Sequence, residues 1–433
     1  MTNFVFILAD DLGYADLGCY GGRQPVSPHL DRMAARGMRF TQGYSNSPVC
    51  SPTRFGLITG RYQYWLRGAA EEPMTGKFRG STTVGLPPEH PTLPSLLRER
   101  GYRTALIGKW HLGYPPHFGP LKSGYEYHIG PLSGGVSYFS HVDRTGKHDL
   151  VRNGEPVRYD GRYLTDLLTD EAVAYLQARG QDRQPFLLSL HYTAPHWPWE
   201  TRSQGGPNPE TDKDIRHLDG GSIHVYGEMI KALDEGCGRV LDALEALGLA
   251  EDTLVIFTSD NGGERFSDSW PLVGGKMDLT EGGIRVPYIV QWGDKLAPGS
   301  ISTQHCMTMD WTATILDIAG VAPHPDYPLD GVSLQPVLRD PAHTFPREMY
   351  WRMKYRNQRA MRDGKWKYLA IEENEYLFDL SVDERERANL ARRYPERLAE
   401  MRARYDRWNA IFGPIPPDAN SELVYTEKDM PSR

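Results

Sequence analysis

Four short apolar runs, at residues 4–9, 104–108, 186–191 and 254–259, are separated by long stretches of helical texture, and this alternation constrains the fold more than any other feature. Each run has strand length and is almost free of polar residues, the pattern of a strand covered on both faces. The clearest intervening helix is 223–247. There Tyr226, Met229, Ile230, Leu233, Cys237, Val240, Leu241, Leu244 and Leu247 recur at helical spacing, and Gly248 comes next as a C-terminal cap. Strands alternating with helices imply an α/β fold, a mostly parallel sheet sandwiched by helices. From about residue 340 the texture changes. Segments 348–354, 358–362, 365–371 and 375–380 read as short strands with a turn at Asp363-Gly364, and a charged helix is expected at 395–408. The expected division is an α/β domain at 1–340 and a smaller C-terminal antiparallel α+β subdomain at 341–433. Residues 114–160, rich in Gly, Tyr and His, read as long loops.

Composition narrows the function classes. The 433 residues carry a formal net charge of −7, so there is no basic footprint for nucleic acid. No apolar run approaches the ~20 residues needed to span a bilayer, so no membrane partner is expected. Run 4–9 lacks a basic flank and leads straight into Asp10 and Asp11, unlike a signal peptide. A cytoplasmic location is expected, with a trimmed leader and a periplasmic or secreted location as the alternative. The four cysteines, Cys19, Cys50, Cys237 and Cys306, form no C-x-x-C pair and read as reduced and non-metal-binding.

The residues just after each apolar run carry the functional information. Run 4–9 leads into Asp10-Asp11, 104–108 into Lys109-Trp110-His111, 186–191 into Pro195-His196, and 254–259 into Asp260-Asn261-Gly262-Gly263. Ligands bind at the carboxyl edge of open α/β sheets, so four such strand ends together mark a site. Asp10, Asp11, Asp260 and Asn261 supply only oxygen, which hard cations prefer. Asp10 and Asp11 would face opposite ways in a regular strand, so both reach one ion only if the backbone turns there. Each pair taken alone also fits a strand-end turn or a helix cap.

Cys50-Ser51-Pro52-Thr53-Arg54 places a sulfur at the start of an expected helix, with Pro52 tolerated in its first turn. An anion held there would meet free N–H groups and a favourable dipole. Arg54 lies one turn along on the same face and is able to pair with an oxyanion. A structural buried cysteine beside a helix start is the alternative.

At these residues the chain resembles the formylglycine-dependent (type I) sulfatases of the alkaline phosphatase superfamily. Cys50-x-Pro52-x-Arg54, with Ser47-Pro48-Val49 before it and Leu57-Ile58-Thr59-Gly60-Arg61 after it, resembles their modification motif. Ile7-Leu8-Ala9-Asp10-Asp11-Leu12-Gly13-Tyr14 is similar to the first metal-binding strand, and Gly108-Lys109-Trp110-His111-Leu112-Gly113 to the second motif. His191-x-x-x-Pro195-His196 resembles the histidine motif. Thr258-Ser259-Asp260-Asn261-Gly262-Gly263, Gly275-Lys276 and Glu281-Gly282-Gly283-Ile284-Arg285-Val286-Pro287 resemble the later metal and lysine motifs. Leu377-Phe378-Asp379-Leu380 and Asn389-Leu390-Ala391 resemble the C-terminal hairpin. The resemblance runs in order from residue 4 to about 391, with no departure at a core chemical position. Loops 61–90 and 114–160, where selectivity is expected, match no motif.

The resemblance implies an alkaline-phosphatase-like fold and hydrolysis of aryl or carbohydrate sulfate monoesters. It implies that Cys50 is oxidised to formylglycine (3-oxoalanine) by a formylglycine-generating enzyme. It also implies that Asp10, Asp11, residue 50, Asp260 and Asn261 hold a divalent cation, Ca²⁺ with Mg²⁺ as the alternative. Arg54, Lys109 and Lys276 would neutralise the sulfate oxygens, His196 with Lys276 would serve the leaving group as acid, and His111 would be the base. Against these roles stand ordinary ones: solvated lysines, satisfied core histidines, and packing for Trp65, Trp197, Trp199 and Trp270, which otherwise suit a sugar or aryl ring. His191 reads equally as a supporting residue or as packing. Because Lys109, His111, His196 and Lys276 lie outside any apolar stripe, alanine at each is expected to spare the fold. A phosphonate or phosphate monoester hydrolase of the same superfamily, and a catalytically silent glycan-binding homologue, are the rival readings. Oligomeric state is not legible.

Overall fold

The four apolar runs become four neighbouring parallel strands at the centre of one sheet, in the order Thr253–Ser259, Asn3–Ala9, Phe186–His191, Arg103–Gly108. The computed structural model describes residues 1–421, 423, 425, 426, 428 and 429. All seven residues of Asn3–Ala9 are buried. Val5, Ile7 and Ala9 pack on one face with the helices Pro28–Arg36, Leu164–Asp182 and Ile223–Ala246. Phe4, Phe6 and Leu8 pack on the other with the helices Cys50–Thr59, Leu93–Glu99 and Thr308–Ala319. The period-two alternation of a strand thus feeds two separate cores, and burial of each side chain contributes about 1.5–3 kcal/mol.

The helix Ile223–Ala246 begins where the Ser222 side chain accepts from Val225 N, and ends at Gly248, whose φ of +63° suits a residue without Cβ. The sheet is wider than the four runs. Met38–Phe40, Tyr288–Gln291 and Ser300–Ser302 extend it on one side, with Tyr288–Gln291 antiparallel to Thr253–Ser259. On the other side the stretch read as loop supplies Tyr127–Gly130, parallel to Arg103–Gly108, and the short pair Val151–Arg152 and Glu155–Pro156. That reading of 114–160 is corrected in those places.

The C-terminal change of texture is a four-stranded antiparallel sheet, Glu348–Arg352, Arg359–Asp363, Trp366–Ile371 and Asn374–Asp379, paired in sequence order. The helix Pro395–Ala410 packs on it through Met401, Tyr405 and Trp408. This core also takes in Tyr44, from the short strand Gly43–Tyr44 paired with Cys306–Met307, and Val49, Tyr62 and Met277 from loops, so the small sheet is cemented beside Cys50. Glu422, Val424, Glu427 and 430–433, in the expected C-terminal unit, lie outside the described residues. Among the described residues no helix is long and apolar enough to cross a membrane, and all four cysteines are free.

Candidate active site

Strand register brings the predicted residues to one level. Ala9 pairs with Ser259, Leu8 with His191, and Gly108 with His191, so Asp10, Asp260 and Lys109 each come after a strand that ends at the same height. Asp11 has φ +66°, which is the backbone turn that lets two adjacent aspartates face one point. His111 and Met277 also adopt the left-handed region, at +61° and +75°. Such conformations are costly for residues with a Cβ and gather at functional sites.

The charged groups form one buried network. Arg54 donates from Nε at 3.0 Å and from Nη2 at 2.9 Å to Asp260 Oδ2, and from Nη1 at 3.2 Å to Lys109 O. Lys109 Nζ pairs with Asp10 Oδ2, and Lys276 Nζ lies 2.7 Å from Asp11 Oδ2. Asp11 N donates to Asp260 Oδ1, and Asn261 Nδ2 donates to Asp11 Oδ1 at 2.7 Å. Three carboxylates therefore meet three cations. Against the burial penalty, Lys276 and Lys109 hold the Asp11 carboxyl far below its ordinary range. Burial works against charge at Lys276 too, but Asp11 overcomes it and keeps the ammonium protonated. Lys109 is 0% exposed, so alanine there would remove the nearer counter-ion of buried Asp10 and leave Arg54 Nη2, 3.8 Å from Asp10 Oδ2, as the other.

Cys50 is the first residue of the helix Cys50–Thr59, every residue of which is buried; Val49 makes no side-chain cap, and Cys50 Sγ stands 3.8 Å from Asp11 Oδ1. Burial pushes the thiol well above its ordinary range, so an unmodified Cys50 is protonated and a poor nucleophile. Cys50, His111, His196 and Lys276 line one cavity. Arg54, Lys109, Asp10 and Asp260 lie behind that surface, with Arg54 turned to carboxylates and to His191 Nδ1 (3.5 Å). His191 accordingly stands in the supporting layer.

The two histidines are fixed differently. His111 Nε2 donates to Met74 O at 2.7 Å, leaving Nδ1 buried with no partner. His196 Nδ1 donates to Trp197 O at 2.6 Å and turns Nε2 to Asp11 Oδ2 at 3.6 Å. Burial, with Lys109 for one and Lys276 for the other, holds both imidazoles neutral. Their positions depend on Ser133-Gly134-Gly135. A Cβ on Gly134 would come within 2.6 Å of His111 Cε1, and one on Gly135 within 3.0 Å of His196 Cε1.

The donor set fits a cation. One ligand atom each from Asp10, Asp11, Cys50 and His196 lie within 4.8 Å of one another. Asp10 Oδ1 and Asn261 Oδ1 are buried with no hydrogen-bond partner, acceptors that a hard cation would satisfy. His196, expected to serve the leaving group, thus also stands among the closest donors, while Asp260 reaches the site through Arg54 and Asp11 N. Sequence reasoning passes over Glu264, which is 7% exposed, lines the cavity and has Oε2 without a partner. Its position just after Asp260-Asn261-Gly262-Gly263 is the signal that could have found it. Of the tryptophans, Trp197 lines the cavity. Trp199 packs on Phe266, Trp65 on Phe412, and Trp270 lies under Arg385.

Comparison with known proteins agrees with this geometry. The Sulfatase family model matches residues 2–321, and the model "N-sulphoglucosamine sulphohydrolase, C-terminal" matches 275–406. N-acetylgalactosamine-6-sulfatase of Mus musculus is 34% identical over 364 residues, 78% of this chain; the chain spans about two thirds (66%) of that relative's length. Arylsulfatase A of Homo sapiens is 32% identical over 408 residues, covering 84% of this chain and 74% of its own. The crystal structure of Ps i-CgsB superposes with a TM-score of 0.85 at 29% identity, covering 98% of this chain and 95% of its own. With the family model matched over most of its length and the strand-end site assembled, the chain belongs to the sulfatase family.

Proposed function

We propose that this protein hydrolyses sulfate monoesters, with a carbohydrate as the leaving group, and that residue 50 acts as formylglycine. The observation that carries the reading is Cys50 at the open end of a buried helix, beside Asp11, in a cavity shared with His111, His196 and Lys276. A protonated buried thiol does not serve as nucleophile here, whereas a hydrated aldehyde at the same position offers two hydroxyls. One attacks sulfur as the bond to the leaving oxygen breaks, its proton passing to Asp11, beside residue 50, and on to Lys276 as that lysine protonates the leaving oxygen. The other gives its proton to His111 Nδ1, the carbon–oxygen bond to sulfate breaks, and the aldehyde returns.

Lys276, kept protonated by Asp11, is the proton source for the leaving oxygen. His196, neutral and with its Nδ1 proton committed to Trp197 O, turns the Nε2 lone pair toward the cation site beside Asp11. The helix N–H groups and Lys276 face the anion, while Arg54 and Lys109 hold the carboxylates in place. Asp10, Asp11, Asn261 and residue 50 would hold a divalent cation, Ca²⁺ by its oxygen preference, which when bound polarises the sulfate and lowers the pKa of the attacking hydroxyl. Support for a sugar comes from the relative named N-acetylgalactosamine-6-sulfatase and from a structural neighbour, Ps i-CgsB, solved in complex with k-i-k-neocarrahexaose. A formylglycine-generating enzyme is the partner in maturation. The test is turnover of sulfated sugars, aryl sulfates and phosphate esters by protein co-expressed with that enzyme, with the aldehyde at residue 50 quantified by peptide mass spectrometry. No turnover of any sulfate by aldehyde-bearing protein would reject the reading.

A further inference from the structure

The cavity in front of Cys50 is closed on one side by the far end of the chain. Leu423 and Tyr425, both half-buried, line it together with Met74, Trp197 and Met277. They lie beyond 406, where the second of the two family matches ends, so this wall belongs to the chain's own C-terminal segment.

The approach to that wall is fastened at several points. Glu72 N donates to Asn420 O at 2.9 Å, Asn420 N donates to Glu71 Oε2 at 2.8 Å, and Ser421 Oγ donates to Glu72 Oε2 at 3.2 Å. Lys354 Nζ donates to Pro417 O and Ala419 O, and Lys77 Nζ donates to Asn420 Oδ1. Glu71 is 0% exposed, so this anchor is an interior one. The residues it grips run directly into Pro73 and Met74, which line the cavity, and Met74 O is the acceptor that orients His111. On the other side the Arg265 guanidinium lies over the Tyr425 ring, 5.9 Å from its centroid, and also over Trp199. The segment is therefore tied both to the strand-end loop that carries Glu264 and to the turn that positions His111.

We propose that Leu423 and Tyr425 are specificity-determining residues that contact the ring bearing the sulfate and set which ester is accepted. The proposal rests on the sulfatase reading above. An aliphatic side chain and an aromatic ring beside Trp197 and two methionines offer apolar contact to a ring face, while sulfate occupies the polar floor. Apolar contact with a ring changes no bond at the sulfur, so its loss acts on binding of the leaving group before chemistry.

The test uses Leu423→Ala and Tyr425→Ala, with residue-50 aldehyde content matched to wild type. Values of kcat and KM are measured for a sulfated galactose and for nitrophenyl sulfate. The expected result is a kcat/KM ratio, sugar over aryl, that shifts by about ten-fold or more, mainly through KM. In a Cys50→Ala background, which binds without turnover, the Kd for the sulfated galactose should weaken by a comparable factor. A ratio and a Kd that both stay at the parent values would overturn the role of the wall, as would equal losses on both esters with Kd unchanged. If aldehyde-bearing wild type turns over neither ester while the Kd still depends on Leu423 and Tyr425, the sulfatase reading fails and the contact role stands.

Discussion

Lys109 is fully buried beside Asp10, and that single placement decides how the site's lysines respond to mutation. Breaking a buried ion pair from one side leaves an uncompensated charge, which costs about 3–5 kcal/mol. Lys109→Ala should therefore lower stability as well as turnover, and a denaturant titration of metal-free protein would show it. An unchanged midpoint would mean that Asp10 finds its counter-charge elsewhere. Lys276 lines the cavity and is paired with buried Asp11, so Lys276→Ala should reduce turnover by ~10²–10⁴ as a proton donor is lost, with a cost in stability of its own. Cys50→Ala deletes one buried thiol and should abolish turnover in a folded chain; full activity there would remove residue 50 from the mechanism. Asp10, Asp11, Asp260 and Lys109 were legible because each comes directly after an apolar strand, and Lys276 through the resemblance of Gly275-Lys276. That Lys109 is an interior counter-ion was not legible, since burial of a polar residue depends on register between strands far apart in sequence.

At the scale of elements, the loops after the strands set the geometry of catalysis. Gly135→Ala would place a Cβ 3.0 Å from His196 Cε1 and 3.1 Å from Trp197 Cζ3. The ring must give by a few tenths of an ångström, well short of the ~1 Å misplacement that costs ~10²-fold in rate. A steady-state assay should show a fall smaller than that with little change in melting temperature, and wild-type kcat in Gly135→Ala would show that the loop yields freely. A second loop contact titrates. Glu200 accepts from Tyr138 N at 2.7 Å and Ser137 Oγ at 3.1 Å, yet burial pushes its carboxyl from 4.5 up to about 7. The folded state then binds this proton more tightly than the unfolded chain, so the contribution is complete below about pH 4.5 and is lost as pH rises through about 7. Glu200→Gln cannot ionise, so the stability of wild type relative to this variant should fall by about 3 kcal/mol across that window; a difference flat with pH would contradict it. The four central strands were readable from their apolar runs because both faces are buried. Met38–Phe40, Tyr127–Gly130 and Tyr288–Gln291 are only three or four residues long, too short to set up a period, and their pairing comes from the sheet they join.

Across the whole molecule, the site gathers residues from Asp10 to Tyr425 at the carboxyl edge of one sheet, and its total charge sets what it accepts. The motif residues could be found in the sequence because strand ends converge by topology; the C-terminal wall could not, because a chain returning across a cavity leaves no local pattern. Asp10, Asp11 and Asp260 are met by Arg54, Lys109 and Lys276, so the inner shell is close to neutral before a cation or substrate arrives. Among the described residues the one group of at least three acidic, histidine or cysteine side chains able to hold an ion is Asp10, Asp11, Cys50 and His196. Two-metal phosphatases need a second ion ~3.5–4 Å from the first, with ligands of its own. Here the other nearby histidine, His111, is bonded to Met74 O and turned to the cavity, and Lys109 already occupies Asp10 Oδ2. A sulfate monoester brings one negative charge at neutral pH, which one divalent ion and Lys276 compensate. A phosphate monoester brings nearly two, since its second pKa is about 6, and the additional charge meets no further cation. The expected outcome is a higher kcat/KM for an aryl sulfate than for the matching aryl phosphate, measured at one pH on one preparation with residue-50 aldehyde content known. Slow phosphate turnover is compatible with this charge balance. A preference for the phosphate or phosphonate ester would instead favour the phosphoester hydrolase reading of the same fold, and absence of turnover for every ester, with Cys50 unmodified, would favour a silent binding protein.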